Sequence, residues 1–290
     1  MQLITFDAGK GLRIGVLGGD GTQVADISAL AADMTAFIAL GGDGLKKAAD
    51  AAANADIALA SVKLLAPIPE PRRNIFCVGK NYYEHAKEFH DSGFDASAGK
   101  SAIPDKPIIF TKATTSVIGP GAAIPSANDP TGSVDYEGEL GVVISKRARN
   151  VSKVDAFGYV YGYTVINDVT ARELQSSHKQ WFLGKSLDGF CPMGPALVTI
   201  DEVGDVTQSR LTTKVNGEVR QDVSVADMIF DIPTLIETMS ATMTLLPGDI
   251  IATGTPVGVG IGFDPPKFLK PNDEVEITID KVGTLINKVK

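Results

Sequence analysis

Short runs of apolar, β-branched residues, separated by clusters of glycine, proline and aspartate, recur along most of this chain and predict strands. Leu3 to Phe6, Leu12 to Leu17 and Gln23 to Ile27 are three such runs at the start. Two helical stretches follow, Leu30 to Leu40 and Leu45 to Ala53, with Gly41-Gly42-Asp43-Gly44 between them. Asn74 to Gly79 reads as a buried strand, and Pro107 to Lys112 as another. Between them Lys80 to Phe89 turns helical, with Asn81 as its cap and Glu84 in the return position of a capping box. Farther on, Asn216-Gly217 predicts a tight hairpin between Leu211 to Asn216 and Glu218 to Asp222. Ile232 to Met243 is helical behind Asp231 and Pro233, and the chain closes with strands at Glu274 to Ile279 and from Gly283.

The clearest break is Ala66-Pro67-Ile68-Pro69-Glu70-Pro71. Three alternating prolines cannot join the middle of a sheet and favour an extended connector. It divides the chain into a small N-terminal α/β unit with its connector, residues 1–70, and a larger, mostly β unit, residues 71–290. The fold class expected is α+β with strands dominant.

Composition narrows the function. The 290 residues are 44% hydrophobic and 21% charged, the profile of an ordinary globular protein. A net charge of -8 gives no basic excess for a phosphate backbone, so no nucleic-acid partner is expected. The N-terminus has no basic-then-apolar signal pattern and no apolar run reaches a membrane span, so a cytoplasmic protein without a membrane partner is expected. Cys77 and Cys191 sit in apolar contexts and read as buried free thiols. The N-terminal glycines do not fit G-x-G-x-x-G, and Gly184-Lys185-Ser186 lacks the upstream glycine of a P-loop.

The most informative stretch is Ser133-Val134-Asp135-Tyr136-Glu137-Gly138-Glu139-Leu140-Gly141. Read as one strand, it projects Asp135, Glu137 and Glu139 from a single face. Aligned carboxylates repel unless water screens them or a cation binds them. Charge runs are usually solvated faces, so spacing by itself favours a solvated acidic edge over a metal site.

Other candidates lie apart in the chain. His85 and Glu88 share a helical face, the arrangement that fixes a histidine tautomer and raises its basicity, although such pairs are also common on surfaces. Asp168 ends a strand, where an acidic residue is either a ligand or a plain helix cap; Thr170 is an alternative cap. Lys185 lies in an aromatic and apolar stretch, where desolvation lowers a lysine pKa and suits it to meeting an oxyanion; the alternative is a snorkelling surface lysine. The loop Thr253 to Gly260 can bring backbone amides close to a ligand. Asp91 to Lys106, polar and rich in small residues, is a candidate lid.

Five separated blocks together resemble the fumarylacetoacetate hydrolase family over about residues 72 to 290. They are Gly79-Lys80-Asn81-Tyr82 with His85 and Glu88; Asp135-Tyr136-Glu137-Gly138-Glu139; Asn167-Asp168 with Ala171, Arg172 and Gln175; Gly184-Lys185-Ser186 with Pro192; and Gly248-Asp249 with Thr253-Gly254-Thr255-Pro256. The resemblance implies a mixed β-sandwich or β-roll catalytic domain, a homodimer, and a divalent metal held by Glu137, Glu139 and Asp168. It does not make Asp135 a ligand. It implies an acid/base pair in His85 and Glu88, and substrate or oxyanion contacts from Lys185, Arg172, Gln175 and Thr255. Oxygen ligands favour a hard cation, Mg²⁺ first, with Mn²⁺ or Ca²⁺ as alternatives. The implied activity is hydrolytic C–C cleavage of a small keto-acid substrate, an acylpyruvate such as fumarylpyruvate or maleylpyruvate, to pyruvate and a carboxylic acid. The alternatives are an oxaloacetate-type decarboxylase, a dienedioate isomerase, or a non-catalytic metal-binding scaffold.

Overall fold

The computed structural model describes residues 1–9, 11–95 and 101–290. Two burial patterns decide the architecture. In Arg210–Val215 and Glu274–Ile279 buried residues alternate with more exposed ones, as in strands with one face to the core. In Gly138–Ile144 and Val160–Asn167 every residue is buried, so these strands are covered on both faces.

The fully buried strands form the middle of a large mixed sheet. Its order is Ile57–Ala58, Gln23–Asp26, Leu12–Leu17, Gln2–Asp7, Cys191–Thr199, Val160–Asn167, Gly138–Ile144, Ile250–Ala252, Ile75–Gly79 and Ile108–Lys112. Ile250–Ala252 and Ile75–Gly79 pair in parallel, while the other neighbours in this path are antiparallel. A second, antiparallel sheet of four strands, Glu218–Ser224, Arg210–Val215, Glu274–Ile279 and Gly283–Lys288, packs against it. Leu140, Val142, Tyr163 and Val165 meet Leu211, Val275, Ile277 and Leu285 in the core between the sheets. The mixed β-sandwich expected from the sequence is therefore present.

The other face of the large sheet carries its own core. Val143, Tyr161, Ile166, Met193 and Leu197 gather there with Leu3, Ile14, Val16, Met34, Phe37 and Ile38. Residues from the N-terminal segment thus cover that face, and Gln2–Asp7 joins the sheet by pairing with Cys191–Thr199. Arg73, just past the proline connector, ion-pairs with Asp249 and donates to the Thr244 carbonyl at 3.1 Å.

Several local expectations hold. The hairpin turns at Asn216 and Gly217, both with positive φ (53° and 80°), as a type I′ turn requires. Helix Ile232–Thr242 starts behind Asp231, whose carboxylate accepts from the Thr234 amide at 2.8 Å. The N-terminal helices differ from expectation: they span Met34–Ile38 and Gly41–Ala52, so the glycines form the first turn of the second helix instead of a loop. A Cβ at Gly44 would lie 2.8 Å from the Leu40 Cβ and 3.4 Å from the Phe37 carbonyl, so glycine there lets the second helix begin directly behind the first.

Candidate active site

The acidic stretch is not one continuous strand. Val134–Asp135 pairs with Thr170–Ala171 in a separate ribbon, whereas Gly138–Ile144 pairs with Val160–Asn167 in the large sheet. Both partner chains cross from one sheet to the other together, at Tyr136-Glu137 and at Asp168-Val169. The Asp168 amide donates to the Glu137 carbonyl at 2.9 Å, and the Glu137 amide to Asn167 Oδ1 at 3.1 Å. This crossover places Glu137 and Asp168 side by side, with Glu139 one residue inside the strand.

Glu137, Glu139 and Asp168 are all buried, and each offers a carboxylate oxygen within 4.8 Å of the others. One oxygen of each is pinned from outside. Arg172 Nη1 lies 2.7 Å from Glu137 Oε1, Lys112 Nζ lies 2.6 Å from Asp168 Oδ1, and the Gly254 amide lies 2.8 Å from Glu139 Oε2. Lys185 Nζ bridges the remaining oxygens of Glu137 and Asp168, at 2.8 Å from each. Gly254 can present its amide because it has φ +101°, where L side chains are strained.

Burial, and then the Asp168 and Glu137 charges, hold the Glu139 carboxyl well above the usual carboxylate range. Burial acts in the same sense on Glu137, but Lys185 and Arg172 outweigh it and bring that carboxyl down to about 2. Three converging carboxylates, one of them disfavoured as an anion by the other two, are a donor set that fits a hard divalent cation.

Asp135 has a different task, and the single-face expectation is corrected. Its Oδ1 accepts from the amides of Tyr136 (2.9 Å) and Gly260 (2.7 Å), and its Oδ2 from Ile261 (3.1 Å) and Arg172 Nε (2.9 Å). Its lone pairs are thus committed to fixing the loop and Arg172. Lys185 also departs from expectation. Burial does work to lower its pKa, but the Asp168 and Glu137 carboxylates reverse that and raise it, so it is a firmly charged ammonium.

A cleft opens beside the cluster. His85, Glu137, Arg172, Gln175, Lys185 and Thr255 line it, together with Lys80 and the aromatic walls Phe89, Phe110 and Trp181. Gly79 leaves room for one wall, since a Cβ there would sit 2.2 Å from the Trp181 ring. His85 Nδ1 lies 3.0 Å from Glu88 Oε2, and Glu88 Oε1 accepts from the Gly258 amide at 2.9 Å. With Nδ1–H donated to this carboxylate, Nε2 is the basic nitrogen of His85. Arg172 Nη1 also reaches Gln175 Oε1 at 3.1 Å, while Nη2 is buried with no hydrogen-bond partner among the described residues. The Thr255 hydroxyl donates to the Gly138 carbonyl at 3.0 Å and accepts from Gln221 Nε2 at 2.8 Å.

The expected site residues therefore gather at or just behind one cleft, while two capping expectations fail. Asn81 does not cap the following helix, which spans Tyr83–Asp91 with Tyr82 at its cap. Instead its amide ties Thr253 and Phe230 together at 2.7–3.0 Å. Neither Asp168 nor Thr170 caps the helix Arg172–Ser177, whose cap position is Ala171. Of the candidate lid, residues 96–100 lie outside the described residues. Before them, Phe94 meets Phe268 edge-on at 6.3 Å and Asp95 ion-pairs with Lys80.

Sequence reasoning missed Lys112 and Gln221. Lys112 could have been found, because strand alternation puts it on the face of Phe110, a cleft wall. Gln221 carries no such signal: it belongs to the second sheet and reaches Thr255 only through the packing of the two sheets. Cys77 and Cys191 are buried free thiols, as expected, and burial pushes both pKa values up, Cys191 to about 12. Among the described residues no helix is long and apolar enough to cross a membrane.

Residues 74–290 match the model of the fumarylacetoacetate (FAA) hydrolase C-terminal family. The chain is 52% identical over 231 residues to the oxaloacetate tautomerase YisK of Bacillus subtilis, an alignment covering 80% of this chain and 74% of that protein. Among solved structures it resembles maleylpyruvate hydrolase from Sphingobium sp. SYK-6 in complex with manganese(II) and pyruvate. That match has a TM-score of 0.78 and 34% identity, covering 100% of this chain and 98% of the other. It also resembles 2-hydroxyhepta-2,4-diene-1,7-dioate isomerase from Mycobacterium marinum, with a TM-score of 0.75, 35% identity and coverage of 100% and 98%.

Proposed function

Because the chain belongs to the fumarylacetoacetate hydrolase family, whose members include a hydrolase, an isomerase and a tautomerase, we propose that it is a divalent-metal enzyme moving protons on small 2-oxo acids, with oxaloacetate as the type substrate. The observation that carries this reading is His85, held by Glu88, which lines the same cleft as Glu137 of the carboxylate cluster. A base with a fixed tautomer beside an acidic cluster is what proton transfer next to a carbonyl needs. The cationic lining of Lys80, Arg172 and Lys185 suits a small anionic keto acid.

Glu137, Glu139 and Asp168 would hold the cation, which when bound polarises the 2-oxo group and a neighbouring oxygen as a Lewis acid. Arg172, with its unpartnered Nη2, and Gln175 would receive a substrate carboxylate. His85 Nε2 then takes a proton from C3, leaving an enolate whose C2 oxygen lies toward the Lys185 ammonium. Return of the proton to that oxygen gives the enol, and the reverse sequence gives the ketone. Glu88 keeps His85 in its tautomer and stabilises the imidazolium formed between the two transfers. Phe89, Phe110 and Trp181 exclude bulk water from one side of the cleft.

The acylpyruvate hydrolase reading uses the same groups differently. There His85 would deprotonate a water attacking the distal carbonyl, and Lys185 would steady the departing pyruvate enolate. The maleylpyruvate hydrolase neighbour favours it at 34% identity; the oxaloacetate tautomerase relative favours tautomerisation at 52%, which is why tautomerisation comes first. Purified protein loaded with Mg²⁺ or Mn²⁺ and offered enol-oxaloacetate separates the two. Accelerated loss of the enol's near-ultraviolet absorbance, without CO₂ release, is the expected result. No acceleration, together with release of pyruvate and a carboxylic acid from maleylpyruvate or fumarylpyruvate, would replace tautomerisation by hydrolysis. Release of CO₂ from oxaloacetate would mark a decarboxylase.

A further inference from the structure

Lys112 ends the strand Ile108–Lys112 and is fully buried behind the carboxylate cluster. Its ammonium donates to Asp168 Oδ1 at 2.6 Å and to the Val169 carbonyl at 3.0 Å. It is not among the residues lining the cleft, so it does not meet the substrate. A buried lysine beside a candidate metal ligand is costly to desolvate, and its own positive charge opposes a metal cation.

We propose that Lys112 is an internal counter-cation, which keeps the carboxylate cluster folded without metal and weakens metal binding enough to leave the ion exchangeable. The inference rests on the metal-site reading of Glu137, Glu139 and Asp168. With all four carboxylates ionised, as metal binding requires, Asp135, Glu137, Glu139 and Asp168 face three buried cations (Lys112, Arg172 and Lys185), leaving one formal negative charge. Removing Lys112 leaves two, in a place where no solvent screens them. The metal-free state then suffers, whereas the state with a divalent cation becomes formally neutral.

Lys112 could act in the opposite direction, by positioning Asp168 as a ligand. The geometry makes that the smaller effect. Asp168 is also held through Oδ2 by Lys185 and through its amide by the Glu137 carbonyl, within the paired crossover. Its position has two supports besides Lys112. Lys185 supplies a cation to Oδ2, but at Oδ1 the charge of Lys112 has no substitute among the described residues.

Lys112→Met and Lys112→Gln, compared with the wild type by Mn²⁺ calorimetry and by thermal unfolding with and without metal, test this. The expected result is Mn²⁺ affinity raised on the order of tenfold, a small part of the unscreened repulsion between neighbouring charges. The metal-free melting temperature should fall by roughly 10 °C, as loss of one partner of a buried ion pair implies. Unchanged or weaker Mn²⁺ binding in both variants would overturn the inference. If a variant is recovered only with metal, dialysis against a chelator gives the readout: the variant should unfold while the wild type stays folded. A variant that does not fold even in excess Mn²⁺ would mean that Lys112 acts through packing, and would overturn the inference too. A wild type that binds no divalent cation would remove the metal-site reading itself, and the inference with it.

Discussion

Asp135 Oδ2 lies 2.9 Å from Arg172 Nε, in a pair that is buried on both sides. This contact separates Asp135 from the two glutamates that follow it in the chain. It makes one carboxylate an anchor for a cleft-lining arginine and leaves the other two for a cation. Asp135→Asn should therefore lower Mn²⁺ affinity, through the negative charge it removes, by far less than the change of a ligand does, while loosening Arg172. The expected loss is about 3 kcal/mol of stability, as when one charge of a buried pair is removed. A fall of roughly 10–100-fold in kcat/KM, mostly through KM, should accompany it, in the range seen for supporting hydrogen-bond partners. Calorimetry, thermal unfolding and steady-state kinetics check the three parts separately.

The proposed ligand and the proposed base should fail in different ways. Glu137→Gln, which takes the charge from a proposed ligand, should cost at least roughly 100-fold in Mn²⁺ binding and abolish turnover. His85→Ala should bind Mn²⁺ as the wild type does and lose roughly 10²–10⁴-fold in kcat, the usual contribution of a general base. Survival of both metal binding and turnover in Glu137→Gln would remove it from the site. Near-normal kcat in His85→Ala would remove the base.

The cluster predicts opposite acid and base behaviour from two adjacent glutamates. Glu137 is held at about 2 against a reference of 4.5, because Lys185 and Arg172 outweigh its burial. Its contribution is fully present above about pH 4.5 and is lost as pH falls toward 2. Glu139 is raised above the same reference by burial and by the Asp168 and Glu137 charges. The folded state therefore keeps a proton that the unfolded state has lost, and metal-free stability should decline as pH climbs above about 4.5 toward the raised folded value. Metal must displace that proton, so Mn²⁺ affinity should rise as pH climbs toward the raised folded value. Calorimetry in buffers of different ionisation enthalpy should register proton release, and an absence of release would contradict the assignment.

Gly254 tests how far backbone geometry supports the cluster. A Cβ there would meet the Asn81 Cβ at 2.7 Å and the Val78 carbonyl at 2.9 Å, at a φ of +101°. Gly254→Ala should cost about 1–3 kcal/mol through strain. It should also weaken Mn²⁺ binding, because the displaced amide no longer holds Glu139 Oε2. A variant with wild-type melting temperature and metal affinity would show that the loop tolerates the shift.

Much of this protein is written locally in its chain. Period-two burial in Glu274–Ile279, the Asn216-Gly217 turn and the Asp231 cap each depend on neighbours a few residues away, so sequence was enough to place them. His85 and Glu88 are of this kind as well, since one helical turn joins them. The residue types of the cluster were also legible, through five blocks that resemble a family. What sequence could not determine was which atoms face which. Strand alternation put Asp135 with Glu137 and Glu139, but the chain changes sheets between Asp135 and Gly138, and a crossover cancels the alternation rule. Lys185 looked like a desolvated lysine of lowered pKa until Asp168 and Glu137, distant in sequence, supplied the charges that raise it. Asn81 looked like a cap and became a clasp for Thr253 and Phe230. In each case the deciding partner lies far along the chain, and only the packing of the two sheets and the shared crossover bring it within hydrogen-bond reach.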